Sequence, residues 1–406
     1  MDSLHALRES LYGELTGNIL PFWLEKARDR DGWGHFGWID ADGHIDPQAP
    51  RGGVLAARIL WAYSAAARLL GTPQLREAAR SAYHDLVDHF HDREQGGFHW
   101  MLDVKGNAID DRKQIYAQAF AVYALAEYAD LTGEPRALDL ARQTFRLVKE
   151  RAVDPVHGGY LEARDRFWHE TAENRLSSKD QNSPKSMNTH LHVLEAWTRL
   201  YRVDPSPDVR EALAEALDWM CAHVVDGPKN RMQLYFGMDW SKESDKTSFG
   251  HDIEGSWLLY EAAEALGEAE RLADTGALAV RMAEEVLEHG LDREYGGLYN
   301  EIAEGRLETE KIWWVQAEAL VGFFNAWQLS GENRFLDAAL NIWHFIDRFG
   351  ADHKGGEWFW ETDREGRPIP GRPKVEPWKC PYHNVRACLE MIRRIDQGEG
   401  NKEEAR

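Results

Sequence analysis

The chain has 406 residues, three cysteines and a formal net charge of −21 at neutral pH. No segment supplies the basic patches that nucleic acid or an anionic membrane would require as partners. Cys221, Cys380 and Cys388 are odd in number and lack zinc spacing, which points to reduced thiols in a cytoplasmic compartment.

The N-terminal stretch MDSLHALRESLYGELTGNILPFW reads as an amphipathic helix, with neither a signal peptide nor a membrane span expected. A recurring mark then begins: a double glycine or its relative, preceded by Asp or His and followed by aromatic residues. It occurs from Trp33, Glu94, Val156, Glu294 and Lys354, with the segment from Asn230 filling a gap, at intervals of about 60 residues. Each mark predicts a short strand, a tight turn such as Lys105-Gly106-Asn107 or Glu365-Gly366, and a second strand. A second marker, in LLGTPQLREAA, LTGEPRALDLA, ALGEAERLADT and LSGENRFLDAA, places Gly just past a helical run and a new first turn after it. The chain therefore predicts six helix hairpins, with apolar inner helices such as YAQAFAVYALAEYADL and one-sided outer ones such as LREAARSAYHDLVDHF. No linker interrupts the repeat, so residues 1–406 read as one catalytic domain. Periodicity alone leaves open whether the hairpins close into a ring.

Along the inner helices, Arg58 stands in an otherwise apolar run, where its guanidinium faces either a polar cavity suited to an oxyanion or a core carboxylate. Tyr116 and Gln118 open the next inner helix, with Phe120 on the face of Tyr116; a core aromatic stripe would explain them almost as well. Asn188 and His192 form an i, i+4 pair with Glu195 next on the stripe, while His190 points away and reads as structural. His251 and Glu254, at i, i+3, predict a carboxylate that orients the ring and raises its basicity. Trp314 and Glu318 share a face and are both expected at the substrate, and the last helix begins with Tyr382, His383 and Asn384, with Arg386 one turn on. His192, His251 and His383 are expected at the same point of the repeat, converging on one acid/base cavity. A satisfied helix-end role is the alternative for each singly. Aromatic faces beside these groups suit a sugar ring.

Three connections, Ala163 to Ser186, Gly227 to Thr247 and Glu361 to Pro381, are too long for simple turns and are expected to line or cover a binding site. Asp180, Trp240 and Trp378 are the residues there expected near a ligand, although Asp180 reads equally as a solvated loop charge. No HExxH, GxSxG or P-loop occurs, and His190 and His192 cannot grip one ion from a regular helix, so no metal is expected. Cys380 beside His383 lacks the orienting third group of a thiol nucleophile.

The stretches SMNTHLHVLEAW, SFGHDIEGSWLL, WWVQAEALVGF and KCPYHNVRACLE, with APRGGVLAARILW and IYAQAFAVYAL upstream, resemble the cellobiose 2-epimerases of the N-acylglucosamine 2-epimerase superfamily, from the first helix to Arg394. The resemblance implies an all-α (α/α)6 barrel with a central cleft. By motif position it implies His251 and His383 as the acid/base pair. Arg58, Tyr116, Asn188, His192, Glu254, Trp314 and Trp378 follow as further cavity residues, and Asp180 as the loop aspartate. It implies C2 epimerisation of the reducing-end glucose of a β-1,4 disaccharide through ring opening and a cis-enediolate. That chemistry has no redox step, so no cofactor is expected, and the expected state is a monomer or weak homo-oligomer. A monosaccharide 2-epimerase, an aldose–ketose isomerase acting on mannose and, from another class, an (α/α)6 glycoside hydrolase remain alternatives.

Overall fold

Where a helix is apolar on every face it must be covered on every face, and that requirement sorts the helices into two layers. The computed structural model describes residues 2–404, with side chains over 3–398; residues 1, 405 and 406 of the expected domain lie outside the described residues. The inner layer is α2 (Gly53–Leu70), α4 (Ile115–Thr132), α6 (Met187–Val203), α8 (Phe249–Leu266), α10 (Trp313–Ser330) and α12 (Tyr382–Glu404). The outer layer is α1 (Asp2–Glu14), α3 (Pro73–Asp85), α5 (Pro135–Arg151), α7 (Pro207–Trp219), α9 (Ala269–His289) and α11 (Asn333–Phe345). Each inner helix packs on the next and α12 returns to α2, with α1 against α12, so the hairpins close into an (α/α)6 barrel. Helix α4 is buried without a break from Ile115 to Ala129. Outer helix α5 buries only Ala137, Leu140, Ala141, Thr144, Phe145 and Val148, a single stripe at spacings of three and four. Helix α2 is long and apolar enough by composition to span a membrane, which the sequence reading did not flag; 72% of it is buried in the barrel.

At one end of the ring an inner helix turns directly into its outer partner. Gly133 caps α4 at φ 71, its N–H reaching back to Ala129, a left-handed conformation that a Cβ would penalise. At the other end the marks stitch neighbouring units together. Arg51–Gly52 pairs with Met101–Leu102, Lys113–Gln114 with Ala163–Arg164, and Lys185–Ser186 with Tyr235–Phe236. Thr247–Ser248 pairs with Ile302 and Glu301, Lys311–Ile312 with Glu361–Thr362, and an Ile39–Val375 bridge joins the last unit to the first. The segment after Asn230 thus takes its expected place, supplying the partner of Lys185–Ser186. The expected hairpins form at Met101–Leu102 with Ala108–Asp110 and at Glu301–Ala303 with Arg306–Glu308. Most strand pairing runs between units instead, because the two-residue strands that lead into α2, α4, α6, α8 and α10 find their edges on the neighbour.

The double glycines close the exits of the outer helices. Asp92 Oδ1 accepts the N–H groups of Glu94 and Gln95, both at 3.1 Å, while its Oδ2 accepts buried Lys113 at 2.9 Å. Lys185 on Asp154 at 2.7 Å and Lys311 on Asp292 at 3.2 Å repeat the device. A Cβ on Gly97 would meet Gln118 Oε1 at 2.7 Å, which makes glycine obligatory there. The N-termini of all six inner helices consequently point to this end.

Candidate active site

A cleft of about 1160 Å³ opens where the inner helices begin, walled by their first turns and by the long connections. Arg58, Tyr116, Asn188 and His192 enter from α2, α4 and α6; His251 and Glu254 enter from α8, Trp314 from α10 and His383 from α12. Asp180 and Trp378 reach the cleft from the connections around them. Glu318 and Trp240 do not line it.

The three histidines do not share a register. His192 is the sixth residue of α6, His251 the third of α8 and His383 the second of α12, so the expected equivalence in the repeat fails. They converge because the helices start at one level of the ring and the side chains reach in from staggered heights. His251 and His383 both contact the Trp314 indole, with ring centroids 4.6 and 5.6 Å away, and His192 packs on Tyr116 and Phe120.

Each imidazole is held through Nδ1. His192 Nδ1 lies 2.9 Å from Glu195 Oε2, His383 Nδ1 lies 2.6 Å from Glu318 Oε1, and His251 Nδ1 lies 2.7 Å from Ser248 Oγ. The carboxylates fix Nδ1–H as donor in His192 and His383, leaving Nε2 as the free, proton-accepting nitrogen. Glu254 does not orient His251 as expected. Its Oε1 accepts Arg386 Nη2 at 2.5 Å and its Oε2 is buried without a partner among the described residues. Glu318, expected at the substrate, instead stands behind His383. Trp240 is likewise a packing residue, stacked on His223 with its Nε1 donating to the His157 carbonyl.

Arg58 is buried with no carboxylate partner among the described residues. It donates to Tyr116 Oη at 2.6 Å, lies over the rings of Phe120 and Tyr382 at 4.2 and 4.8 Å, and leaves Nε unsatisfied. A buried cation whose charge no anion answers can hold an oxyanion. Burial, with His192 nearby, pushes His251 down to about 3, and burial with Arg58 and Arg386 lowers His383 well below the usual imidazole range. Both rings are therefore neutral bases near pH 7. Burial and the neighbouring Glu318 raise Glu254 to about 7. For Glu195 burial is outweighed by Arg386 and His192, which hold it at about 2.

Asp180 is more than a loop charge: Oδ1 accepts the Tyr235 hydroxyl at 2.9 Å and Oδ2 accepts the N–H and hydroxyl of Ser177, fixing the connection beside the cleft. Glu162, Trp360 and the hairpin around Glu304 also line the cleft without a pattern in the sequence that marks them, and Arg386 has a place behind it that its sequence position alone did not assign. For Arg386 the signal was present, since a guanidinium in an apolar helix start is the feature that singled out Arg58. Glu254, Glu318 and His383 have the composition of a metal cluster. The Arg386 guanidinium already stands between the two carboxylates, at 2.5 Å from Glu254 Oε1 and 2.7 Å from Glu318 Oε1.

Neutral imidazoles, an unanswered cation and aromatic walls equip a cleft to move protons on a carbohydrate, and on this barrel they define a carbohydrate isomerase. A family described as N-acylglucosamine 2-epimerase (GlcNAc 2-epimerase) matches residues 34–387. A cellobiose 2-epimerase of Bacteroides fragilis is 40% identical over 95% of this chain and 98% of its own length, and one of Dictyoglomus turgidum is 37% identical over 97% and 100%. The solved cellobiose 2-epimerase of Bacillus thermoamylovorans superposes with a TM-score of 0.92 at 38% identity, covering 96% of this chain and 100% of that one. The chain belongs to the N-acylglucosamine 2-epimerase family and has the activity of a carbohydrate 2-epimerase.

Proposed function

We propose that the protein inverts C2 of the reducing-end glucose of β-1,4 disaccharides, converting cellobiose to 4-O-β-glucosyl-mannose and acting likewise on lactose. The observation that carries this reading is the pair of neutral imidazoles, His251 and His383, both against Trp314 in one cleft and both anchored through Nδ1. Two bases suit an inversion because the proton must leave one face of C2 and return to the other. After the ring opens, one imidazole takes the C2 proton, and the C–H electron pair becomes the C1–C2 π bond while the carbonyl pair moves to O1. Arg58 and His192 stabilise the resulting cis-enediolate, as preorganised donors do. The other imidazole, protonated from solvent, then delivers its proton to the opposite face of C2: the C1–C2 π pair forms the new C–H bond, the O1 pair restores the carbonyl, and the first imidazolium returns its proton to solvent. A cleft of about 1160 Å³ exceeds the usual 300–1000 Å³ of a small-ligand site and leaves room beyond one ring, with Trp378 at its wall to stack on sugar.

A glycoside hydrolase would need two carboxylates free to flank the bond. Glu254 and Glu318 share Arg386, which disfavours that role. The deciding measurement is NMR of cellobiose, mannose and glucose incubated with the enzyme in heavy water. Epimerised disaccharide carrying deuterium at C2 is expected; a ketose, cleavage, or an epimer without label would each reject the reading. Trp378→Ala is expected to damage turnover of cellobiose more than that of mannose, and equal losses would favour a monosaccharide enzyme.

A further inference from the structure

Arg386 does not itself line the cleft, yet every carboxylate behind the catalytic histidines converges on it. Its Nη1 donates to Glu195 Oε1 and to the Tyr382 hydroxyl, and its Nη2 to Glu254 Oε1 at 2.5 Å and Glu318 Oε1 at 2.7 Å. Glu195 uses its other oxygen for His192 at 2.9 Å, while Glu318 uses the same oxygen for His383 at 2.6 Å and gives Oε2 to Trp257 Nε1 at 3.2 Å. The guanidinium is itself held between aromatic faces, 4.8 Å from the Trp257 ring and 4.3 Å from that of Tyr382. Arg386, Glu195, Glu254 and Glu318 are all buried.

We propose that Arg386 is a positioning residue that couples the two histidines: one guanidinium holds and aims Glu195 and Glu318, and thereby fixes the Nδ1–H tautomer of His192 and His383 together. Three carboxylates in one buried pocket cannot all ionise without a cation, and a protonated carboxyl would offer its hydrogen where an Nδ1–H must be received. A fixed fork serves them at once, each arm engaging its own carboxylates. A lysine ammonium is a single point and cannot span both sides. The coupling makes His192, which stands in a different helix from the acid/base pair, part of the same electrostatic unit as His383. Glu254, the third carboxylate on the clamp, keeps Oε2 unpartnered and is the member through which the unit faces the cleft.

This inference rests on the epimerase mechanism above for its effect on turnover, but its structural content is separable and is read first by spectroscopy. In the wild-type enzyme, nitrogen-15 NMR of the imidazoles is expected to report His192 and His383 as Nδ1–H tautomers near pH 7. In Arg386→Lys both are expected to lose that signature, and turnover of cellobiose is expected to fall at least tenfold with KM changed less than threefold. The conservative Glu195→Gln keeps the guanidinium and tests the coupling even if Arg386→Lys folds poorly. Its Arg386 must rebalance onto Glu254 and Glu318, so the His383 signal is expected to shift although Glu195 does not touch that ring. An unchanged His383 signal in Glu195→Gln, or two intact tautomers in Arg386→Lys, overturns the clamp. If the tautomers behave as stated and cellobiose is still not epimerised by the wild type, the clamp stands and the proposed reaction falls.

Discussion

Helices α4 and α10 face each other across the ring, three units apart, and the segments leading into them are built alike. Asp92 and Asp292 each accept a buried lysine, Lys113 and Lys311, and an arginine from the next loop, Arg166 at 2.9 Å and Arg364 at 2.8 Å. Gln118 brackets the backbone of Phe98, accepting its N–H at 2.7 Å and donating to its carbonyl at 2.9 Å; Gln316 does the same for Leu298 at 2.7 and 2.8 Å. Two residues to either side the likeness ends. Tyr116 stands opposite Trp314 in the repeat, and Phe120, a surface for Arg58, stands where α10 has Glu318, the anchor of His383. Residues that repeat hold the ring, and residues that break the repeat are those to which the proposed chemistry is assigned.

The sharpest way to test that division is to strike the unrepeated positions alone. His251→Ala and His383→Ala are each expected to lower turnover at least about a hundredfold, the lower bound for a positioned acid/base, with the melting temperature near wild type. Near-normal turnover in either variant would remove that histidine from the mechanism and promote His192. The scaffold should respond in the opposite sense. Gln118→Ala and Gln316→Ala each orphan a buried N–H and carbonyl, so each is expected to cost about 1–3 kcal/mol in urea unfolding while kcat per folded molecule holds within twofold. Unequal costs would break the equivalence of the two units.

The smallest effect expected uses a third unit, in which His190 occupies the place of the glutamines and its Nε2 accepts the Tyr160 N–H at 2.8 Å. Burial holds this ring neutral, at about 4 against an ordinary 6.5. The unfolded chain therefore binds a proton between those values that the folded chain refuses, so the stabilisation is complete above pH 6.5 and is lost as pH falls toward 4. His190→Gln replaces it with a group that does not titrate. The acid slope of the urea midpoint is expected to flatten over that window, leaving the part due to the other shifted groups, among them His35 and His251, both lowered by burial to about 3, and His383. An unchanged slope would show that His190 is not held neutral in the fold.

The division also explains what a single sequence reveals. The hairpins, the left-handed glycine after α4 and the six units were legible because the scaffold is written six times, and so was His190 as a structural residue. Closure of the ring rested on resemblance, since the Ile39–Val375 bridge joins segments too far apart for any local pattern. The site was legible residue by residue but not in its wiring. Glu254 stands one turn from His251 in sequence, yet Arg386 of another helix claims it, and helical spacing carries no information about such competition. Trp240 looked like a ligand platform because it lies in a long connection; its partners, His223 and the His157 carbonyl, are set by tertiary packing alone.

The common direction of the inner helices has a last consequence. A helix carries roughly half a positive charge at its N-terminus, worth about 0.3–1 kcal/mol to an anion within the first turn. Tyr116, Asn188, Trp314 and His383 are second residues of their helices and His251 is a third, so a substrate touching them lies inside the first turns of five dipoles whose positive ends face inward. The barrel therefore presents a standing positive potential at the floor of the cleft before any side chain is counted. Negative charge gathering on a sugar oxygen there is favoured by backbone alone, and an imidazolium in the same place is opposed by it.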